Sequence, residues 1–266
     1  MANTAVAKKE ETALALPSDL LEAFAADAGL GTENIGADDM KIPFIRVIQP
    51  VSPQLKKKDG AYIEGAEAGD IFNTVTNQVW KAEDGVLVVP CGYVKKYLEF
   101  GVYEQGGGFK GELDPNSHEV LNAKRVKNKD ILENGNELIT SAQHYVLIQD
   151  PSTGTWQTAI LDMKSTNLKV SRQWNTQIKL QEVKANGRTI KLPSFGVIWK
   201  LITDEYSNDM GSWHGWKITG REGYVDDPAL YASAKEFASM VNEGTVRAEV
   251  DPDLVKAEES SDDVPF

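Results

Sequence analysis

The sequence predicts a mainly β protein with a few helices. Runs of β-branched and aromatic residues recur through the middle of the chain, and turns rich in Gly, Pro, Asn and Asp separate them. Apolar residues at helical spacing occur in only three places. Both ends of the chain are rich in charge and poor in large apolar residues, so the termini are predicted to be disordered.

A short helix comes first in the predicted order of elements. Ser18 is a suitable N-cap for it, and Gly29 can end it. Strands are then predicted at residues 42–49, 70–76, 85–89 with a continuation at 92–103, 144–149, 156–163, 195–202 and 212–219. Two further helices are predicted at residues 165–187, before Pro193, and 228–241.

The central part of this order is strand, strand, strand, helix, strand, strand, counted from the strand at 85–89. That order resembles the OB-fold, a five-stranded, partly open barrel that commonly binds oligonucleotides. The predicted fold class is therefore α+β and mainly β: an OB-fold-like five-stranded barrel with insertions. A β-sandwich with the same number of strands is the alternative.

Three regions are predicted along the chain. Residues 1–40 form an N-terminal extension with the short helix, residues 41–245 form the OB-fold-like body, and residues 246–266 form a disordered acidic tail. Within the body, a flexible basic insertion is expected at about 104–140, because loops longer than about 15 residues are uncommon unless they are functional or flexible.

The negative charge of the chain lies mainly at its ends. Of the net charge of −12, residues 1–40 carry −6 and residues 251–266 carry −5, which leaves −1 for residues 41–250. Residues 164–200 hold eight Lys and Arg residues against Glu182 alone. This asymmetry indicates an anion-binding body with acidic extensions. The alternative is a solvated basic helix face between ends that keep the protein soluble.

No catalytic motif is recognisable, so neither enzyme activity nor a cofactor is predicted. The sequence lacks a phosphate-binding loop and a nucleophile elbow, and no metal-binding spacing relates its three histidines, His118, His144 and His214. Asp162, Asp226 and Asp227 could form a nuclease carboxylate set, but acidic residues before a Pro-started helix usually complement the helix dipole. An enzyme with an unrecognised metal site is thus a minor alternative.

The single cysteine and the hydropathy of the chain predict a cytoplasmic protein. Cys91 lies in an apolar segment, so we expect a buried thiol in a reducing compartment. No stretch approaches the roughly 20 consecutive apolar residues of a membrane-spanning helix. The first residues do not resemble a secretory signal.

Aromatic and basic residues alternate along one predicted strand. Tyr93, Lys95 and Tyr97 would stand in a row on one face, since alternate side chains of a strand share a face. Two rings with a cation between them suit non-specific binding of a single strand, where each base stacks with about 1–3 kcal/mol and phosphates are neutralised. Trp174 and Trp199 are predicted to be core residues instead.

A second group of predicted DNA contacts is Trp213 and Lys217, on one face of a later strand. His214 and Trp216 point to the other face, and we expect Trp216 to be buried. A flexible basic clamp is predicted from the cations of the insertion, Lys124, Arg125, Lys127 and Lys129.

The chain ends on acidic residues followed by an apolar Val-Pro-Phe. Carboxylates at 258–263 cannot be buried together, and the final Phe with its free carboxylate suits capture in a partner's pocket. The predicted partner-binding residues are Asp262, Asp263, Val264, Pro265 and Phe266.

This tail resembles that of bacterial single-stranded DNA-binding proteins, which end in acidic residues followed by Ile-Pro-Phe, and that of similar phage proteins. Val264 takes the place of the isoleucine, and residues 41–50 have the look of a phage-encoded protein. The resemblance implies that the tail recruits replication proteins such as polymerase, primase or helicase, or recombination factors, and competes with DNA for the basic groove.

The predicted function is therefore to coat single-stranded DNA in phage replication, recombination or repair, in the host cytoplasm. One alternative is a strand-annealing or recombination mediator, which would speed the pairing of complementary strands. Another is a virion structural or scaffold-associated protein without DNA affinity. The sequence does not predict the oligomeric state.

Overall fold

A computed structural model describes residues 17–27, 29–34, 41–102, 107–209 and 211–246. The chain divides into two units, Met1–Met40 and Lys41–Phe266. In the first unit, the described residues form helix α1 (Ser18–Ala26) and the turns after it. Ser18 is the first residue of this helix, and Pro17 takes the cap position that was predicted for Ser18.

The second unit is mainly β, which confirms the predicted class: of the residues that the structure describes, 42% are in strands and 21% are helical. Its strands are β1 (Phe44–Val47), β2 (Ile71–Asn73), β3 (Val79–Trp80), β4 (Val86–Phe100), β5 (Phe109–Leu113), β6 (Lys124–Val126), β7 (Lys129–Ile131), β8 (Glu137–Gln149), β9 (Trp156–Lys164), β10 (Glu182–Ala185), β11 (Arg188–Lys191), β12 (Val197–Asn208) and β13 (Gly211–Tyr224). Its helices are α2 (His118–Leu121), α3 (Asn167–Lys179) and α4 (Pro228–Glu243).

Eleven of the described strands form one sheet, which curls into a half-barrel. Eight of them follow the order β13-β12-β4-β8-β9-β1-β2-β3, while β5 pairs with β4, and β6 with β7, which joins β8. The five strands predicted to form the barrel are neighbours in this order. The five-stranded OB barrel is not confirmed, however, because closing it would require β9 to pair with β13, and β1 lies parallel to β9 instead.

The seam of the curled sheet is spanned by side-chain amides. Beyond the end of β1, Gln49 Nε2 donates to the His214 carbonyl at 2.9 Å, and the His214 N–H donates to Gln49 Oε1 at 2.9 Å. The next outward N–H of β13, that of Trp216, donates to Asn167 Oδ1 at 3.0 Å. An edge strand exposes such groups to pairing with other chains. These amides therefore cover part of the β13 edge.

Helix α3 packs inside the curl, which we call the inner face. Trp174 of α3 is fully buried there, and its ring meets that of Trp199 edge-on at 6.3 Å between centroids. Trp216 belongs to the same core. The prediction that these three tryptophans are buried is confirmed.

Helix α4 covers the opposite, outer face. Phe237 packs against Tyr145, with 6.3 Å between ring centroids. Cys91 lies in this core, as predicted, and burial raises the pKa of its thiol to about 12. The Asp227 side chain accepts a hydrogen bond from the Ala229 N–H at the start of α4, which is the helix-capping role expected for an acidic residue there.

Two segments differ from the prediction. The helix predicted at 165–187 ends at Lys179, and residues 182–191 form the separate β10–β11 hairpin. Its turn residues Asn186 and Gly187 have φ of 50° and 74°, the left-handed pair that an Asn-Gly hairpin turn favours. The insertion predicted to be a flexible loop contains β5, α2, β6 and β7. It is ordered because its strands find partners: β5 pairs with β4, and β7 pairs with β6 and with the first residues of β8.

Candidate nucleic-acid interface

Tyr93, Lys95 and Tyr97 stand on one face of β4. In the antiparallel register their cross-strand partners on β8 are His144, Ala142 and Thr140, so the row lies on the inner face of the sheet. Tyr93 is 41% exposed, Lys95 is exposed and Tyr97 is half-buried. Lys95 Nζ lies 5.8 Å from the centroid of the Tyr97 ring. The row therefore presents accessible aromatic surface with a cation beside it.

A buried histidine supports the exposed end of this row. The His144 ring lies 5.0 Å from the Tyr93 ring and 4.7 Å from that of Trp174, centroid to centroid. Its Nε2 is 2.8 Å from the Ser171 hydroxyl of α3. Burial lowers the pKa of His144 to about 3, so the imidazole is neutral near neutral pH. His144 therefore packs as a neutral side chain between Tyr93 of β4 and helix α3.

Trp213 and Lys217 lie on the outer face of β13, because Trp216 points to the inner core. Trp213 stacks on Tyr206 of β12, with 6.1 Å between centroids and 23° between planes. Lys217 Nζ is 2.7 Å from Asp204 Oδ2. This contact raises the pKa of Lys217 and lowers that of Asp204. The charge of Lys217 is thus already matched by a carboxylate.

The structure does not bring the two predicted groups of contacts together. Strand alternation puts the Tyr93–Tyr97 row on the inner face and Trp213 with Lys217 on the outer face. A strand of DNA lying flat on one face would reach only one group. Tyr206, which was not predicted, belongs with Trp213.

The predicted basic clamp is the β6–β7 hairpin, and half of its cations are paired. Arg125 Nη1 lies 2.9 Å from Asp130 Oδ2, and Lys129 Nζ lies 2.5 Å from Glu137 Oε2. Lys124 and Lys127 are exposed, and their side-chain nitrogens have no hydrogen bond or ion pair within the described chain. The clamp is therefore less available to phosphates than its sequence suggests.

Residues 9–247 match the model of a family described as Pam3 phage gp34-like protein. The chain belongs to this family. It is therefore a phage protein, as the look of residues 41–50 had predicted. No curated protein and no solved structure matches the chain.

The acidic tail of this gp34-like protein lies outside the described residues, as do its predicted contacts Asp262, Asp263, Val264, Pro265 and Phe266. It also lies beyond the family match, which ends at residue 247.

Among the described residues of the gp34-like chain, no group of three or more His, Cys, Asp or Glu side chains could hold a metal ion. Asp162 is engaged by the Ser141 hydroxyl at 2.6 Å and by Lys164 Nζ at 2.7 Å. In the described part of the chain, the helices are too short or too polar to span a bilayer.

The sequence prediction missed one basic element of this gp34-like protein, the β10–β11 hairpin. The predicted helix at 165–187 included Lys184 and left Arg188 and Lys191 without an element, although the Asn186-Gly187 pair is a strong hairpin signal. Lys184, Arg188 and Lys191 are exposed on it.

Proposed function

We propose that this gp34-like protein binds single-stranded DNA with little sequence preference, and that it coats such DNA during phage replication or recombination. The observation that carries the proposal is the Tyr93–Lys95–Tyr97 row on an open stretch of β4. Every base has a π-face, so exposed rings bind bases of any identity, and a nearby lysine attracts the phosphates.

The fold is compatible with this proposal. The strands β4, β8, β9, β12 and β13 are neighbours in the curled sheet, and α3 follows β9 in the chain. We propose that these five strands serve as an OB-like binding sheet that β1 and the Gln49 amide complete, rather than as a closed five-stranded barrel.

The acidic tail is proposed to recruit replication proteins. Phe266 would fill an apolar pocket on the partner, while Asp262 and Asp263 steer the encounter with a basic surface. This role rests on the resemblance of the tail.

Titration of a fluorescent oligothymidylate and of a duplex of equal length, over a salt series, tests the proposal. We expect tighter binding to the single strand at every salt concentration, and similar binding to oligonucleotides of other base compositions. Equal or tighter binding to the duplex would overturn the proposal.

A further inference from the structure

The segment from α3 to β11 carries exposed cations that lack partners. Six Lys and Arg residues lie between residues 165 and 192, and Glu182 is the only acid. All six are exposed, and within the described chain none of their side-chain nitrogens forms a hydrogen bond or an ion pair: Lys169, Arg172, Lys179, Lys184, Arg188 and Lys191. Arg125, Lys129 and Lys217, which were predicted as contacts, are by contrast paired with carboxylates.

The β10–β11 hairpin is fixed at its base and exposed at its tip. The Leu192 N–H donates to the Gln181 carbonyl at 3.0 Å, and the Leu192 side chain packs against the inner core. Arg221 Nη1 donates to Gln181 Oε1 at 3.2 Å. At the other end, the exposed Asn186-Gly187 turn joins the two paired strands. The hairpin thus projects its cations from an anchored base.

Like charges are concentrated on this hairpin. Lys184 lies opposite Thr189, and Lys191 lies opposite Glu182, so the two lysines are diagonal neighbours on one face. Such neighbours are separated by about 7–8 Å. Arg188 lies on the other face, beside Ile190, which is 48% exposed. Glu182, opposite Lys191, is the only acid of the hairpin strands, so two of the three cations have no acidic cross-strand partner that a bound polyanion would have to displace.

Helix α3 connects this hairpin with the aromatic row. Its Ser171 contacts His144 directly beneath Tyr93, and two residues separate its last residue, Lys179, from β10. Helix and row therefore belong to the same inner face of the sheet. Leu192, at the base of the hairpin, packs against the same inner core, so the hairpin begins on the side of the sheet on which Tyr93 is exposed.

We propose that the β10–β11 hairpin, through Lys184, Arg188 and Lys191, binds the phosphodiester backbone of the single strand whose bases stack on Tyr93 and Tyr97. This inference rests on the proposed function and assigns the phosphate contacts to the hairpin rather than to β6–β7. An acidic protein is the other class of partner that such a surface could bind, and the test below separates the two.

The test compares two triple variants that remove the same charge. One is Lys184→Gln, Arg188→Gln, Lys191→Gln. The matched control is Lys56→Gln, Lys57→Gln, Lys58→Gln, since these lysines are also exposed and their side-chain nitrogens have no hydrogen bond or ion pair within the described chain. Binding of a fluorescent oligothymidylate to the full-length protein is measured over a salt series, and the logarithm of the affinity is plotted against that of the salt concentration.

We expect the hairpin variant to lose affinity at low salt and to flatten the salt slope by about 2, since each phosphate contact on a single strand contributes about 0.7. The control variant should keep the wild-type slope. A charge-preserving variant, Lys184→Arg, Arg188→Lys, Lys191→Arg, should also keep it, and thermal melting checks that each protein is folded.

The outcomes distinguish the two proposals. If the wild type binds the oligonucleotide and the hairpin variant has the same slope as the control, the hairpin assignment is wrong while the proposed function stands. An unchanged slope together with loss of an acidic partner protein would also overturn the assignment. If the wild type does not bind single-stranded DNA, both proposals fail.

Discussion

Tyr93 is the outer member of a series of rings that runs from the surface into the core. It contacts His144, which contacts Trp174, which in turn contacts Trp199. A ring that packs against buried neighbours is already ordered, so it loses little conformational entropy when a ligand stacks on it. Because affinity is reduced by ordering of side chains, this backing favours binding.

Replacing both tyrosines of the row tests the stacking role. Tyr93→Ala with Tyr97→Ala is expected to weaken binding to single-stranded DNA by about 2–4 kcal/mol if each ring stacks one base. Tyr231→Ala is the matched control, because Tyr231 is 40% exposed but lies on α4, on the outer face. Titrations and thermal melts are made on the same preparations. A loss of thermal stability with unchanged affinity would show that the tyrosines only support the fold.

The buried His144 makes stability depend on pH. The folded protein does not protonate this imidazole until about pH 3, whereas the group titrates near 6.5 in the unfolded chain. As pH falls below 6.5 the unfolded state binds the extra proton, so the free energy of unfolding declines by up to about 1.4 kcal/mol per pH unit. Above pH 6.5 the effect is absent.

His144→Gln should therefore flatten the pH dependence. Between pH 7 and pH 5 we expect the wild type to lose about 2 kcal/mol more unfolding free energy than the variant, as measured by urea denaturation. The control is His118→Gln, because His118 is exposed on α2. Parallel pH profiles for wild type and His144→Gln would contradict the prediction.

At the scale of elements, patterns with local causes were predictable from the sequence. The alternation of side chains along β4 predicted that Tyr93, Lys95 and Tyr97 share one face, and the same alternation along β13 predicted that Trp216 is buried. The Asn186-Gly187 hairpin was predictable from its turn, but apolar residues at helical spacing before it favoured a longer helix. Strands β12 and β13 extend beyond their predicted ends. In the added residues the two strands pair with each other, and the sequence there lacks the run of apolar residues from which a strand is predicted.

Non-local pairing was not predictable. β1 is a short apolar segment whose place beside β9 depends on a parallel contact more than a hundred residues away. The pairing of Lys217 with Asp204 was equally hidden, because cross-strand neighbours are set by register. Of the predicted contacts, Tyr93 and Lys95 are exposed while Tyr97 and Trp213 are half-buried, and the pairing of Arg125, Lys129 and Lys217 with carboxylates was not predicted.

The Gln49 amide offers a test of the seam. Gln49→Ala removes two hydrogen bonds to β13, and we expect a loss of about 1–3 kcal/mol in unfolding free energy, at about 0.5–1.5 kcal/mol for each bond. It should also increase self-association, since part of an edge strand is uncovered. Urea denaturation and analytical ultracentrifugation measure the two effects. Gln173→Ala, at an exposed position of α3, is the control and should change neither.

At the scale of the whole molecule, charge is separated along the chain. The family match covers residues 9–247, while residues 251–266 carry a net charge of −5. A polyanionic ligand and an acidic tail would compete for the same cations, and the tail would be released when DNA binds. Such competition would couple DNA binding to the availability of the tail for partners.

Deleting Asp262–Phe266 should leave the melting temperature unchanged, because an acidic end contributes little burial. Affinity for single-stranded DNA should rise or stay the same, since carboxylates no longer compete for the cations. Binding to replication proteins of the phage or its host should be lost, and deletion of Phe266 alone should remove most of it. Plate binding of both deletions beside the full chain measures this. Undiminished partner binding without Phe266 would contradict the proposed role of the tail.

The seam also has a consequence for the order in which the protein is made and folds. Gln49 and its partner His214 are 165 residues apart. At about 5–20 residues per second, the ribosome takes on the order of ten seconds to synthesise the chain between them. During that interval the N-terminal strand has no completed sheet to join, and distant pairing of this kind slows folding. We therefore expect closure of the seam to be a late step of folding, after the chain up to β13 has been synthesised.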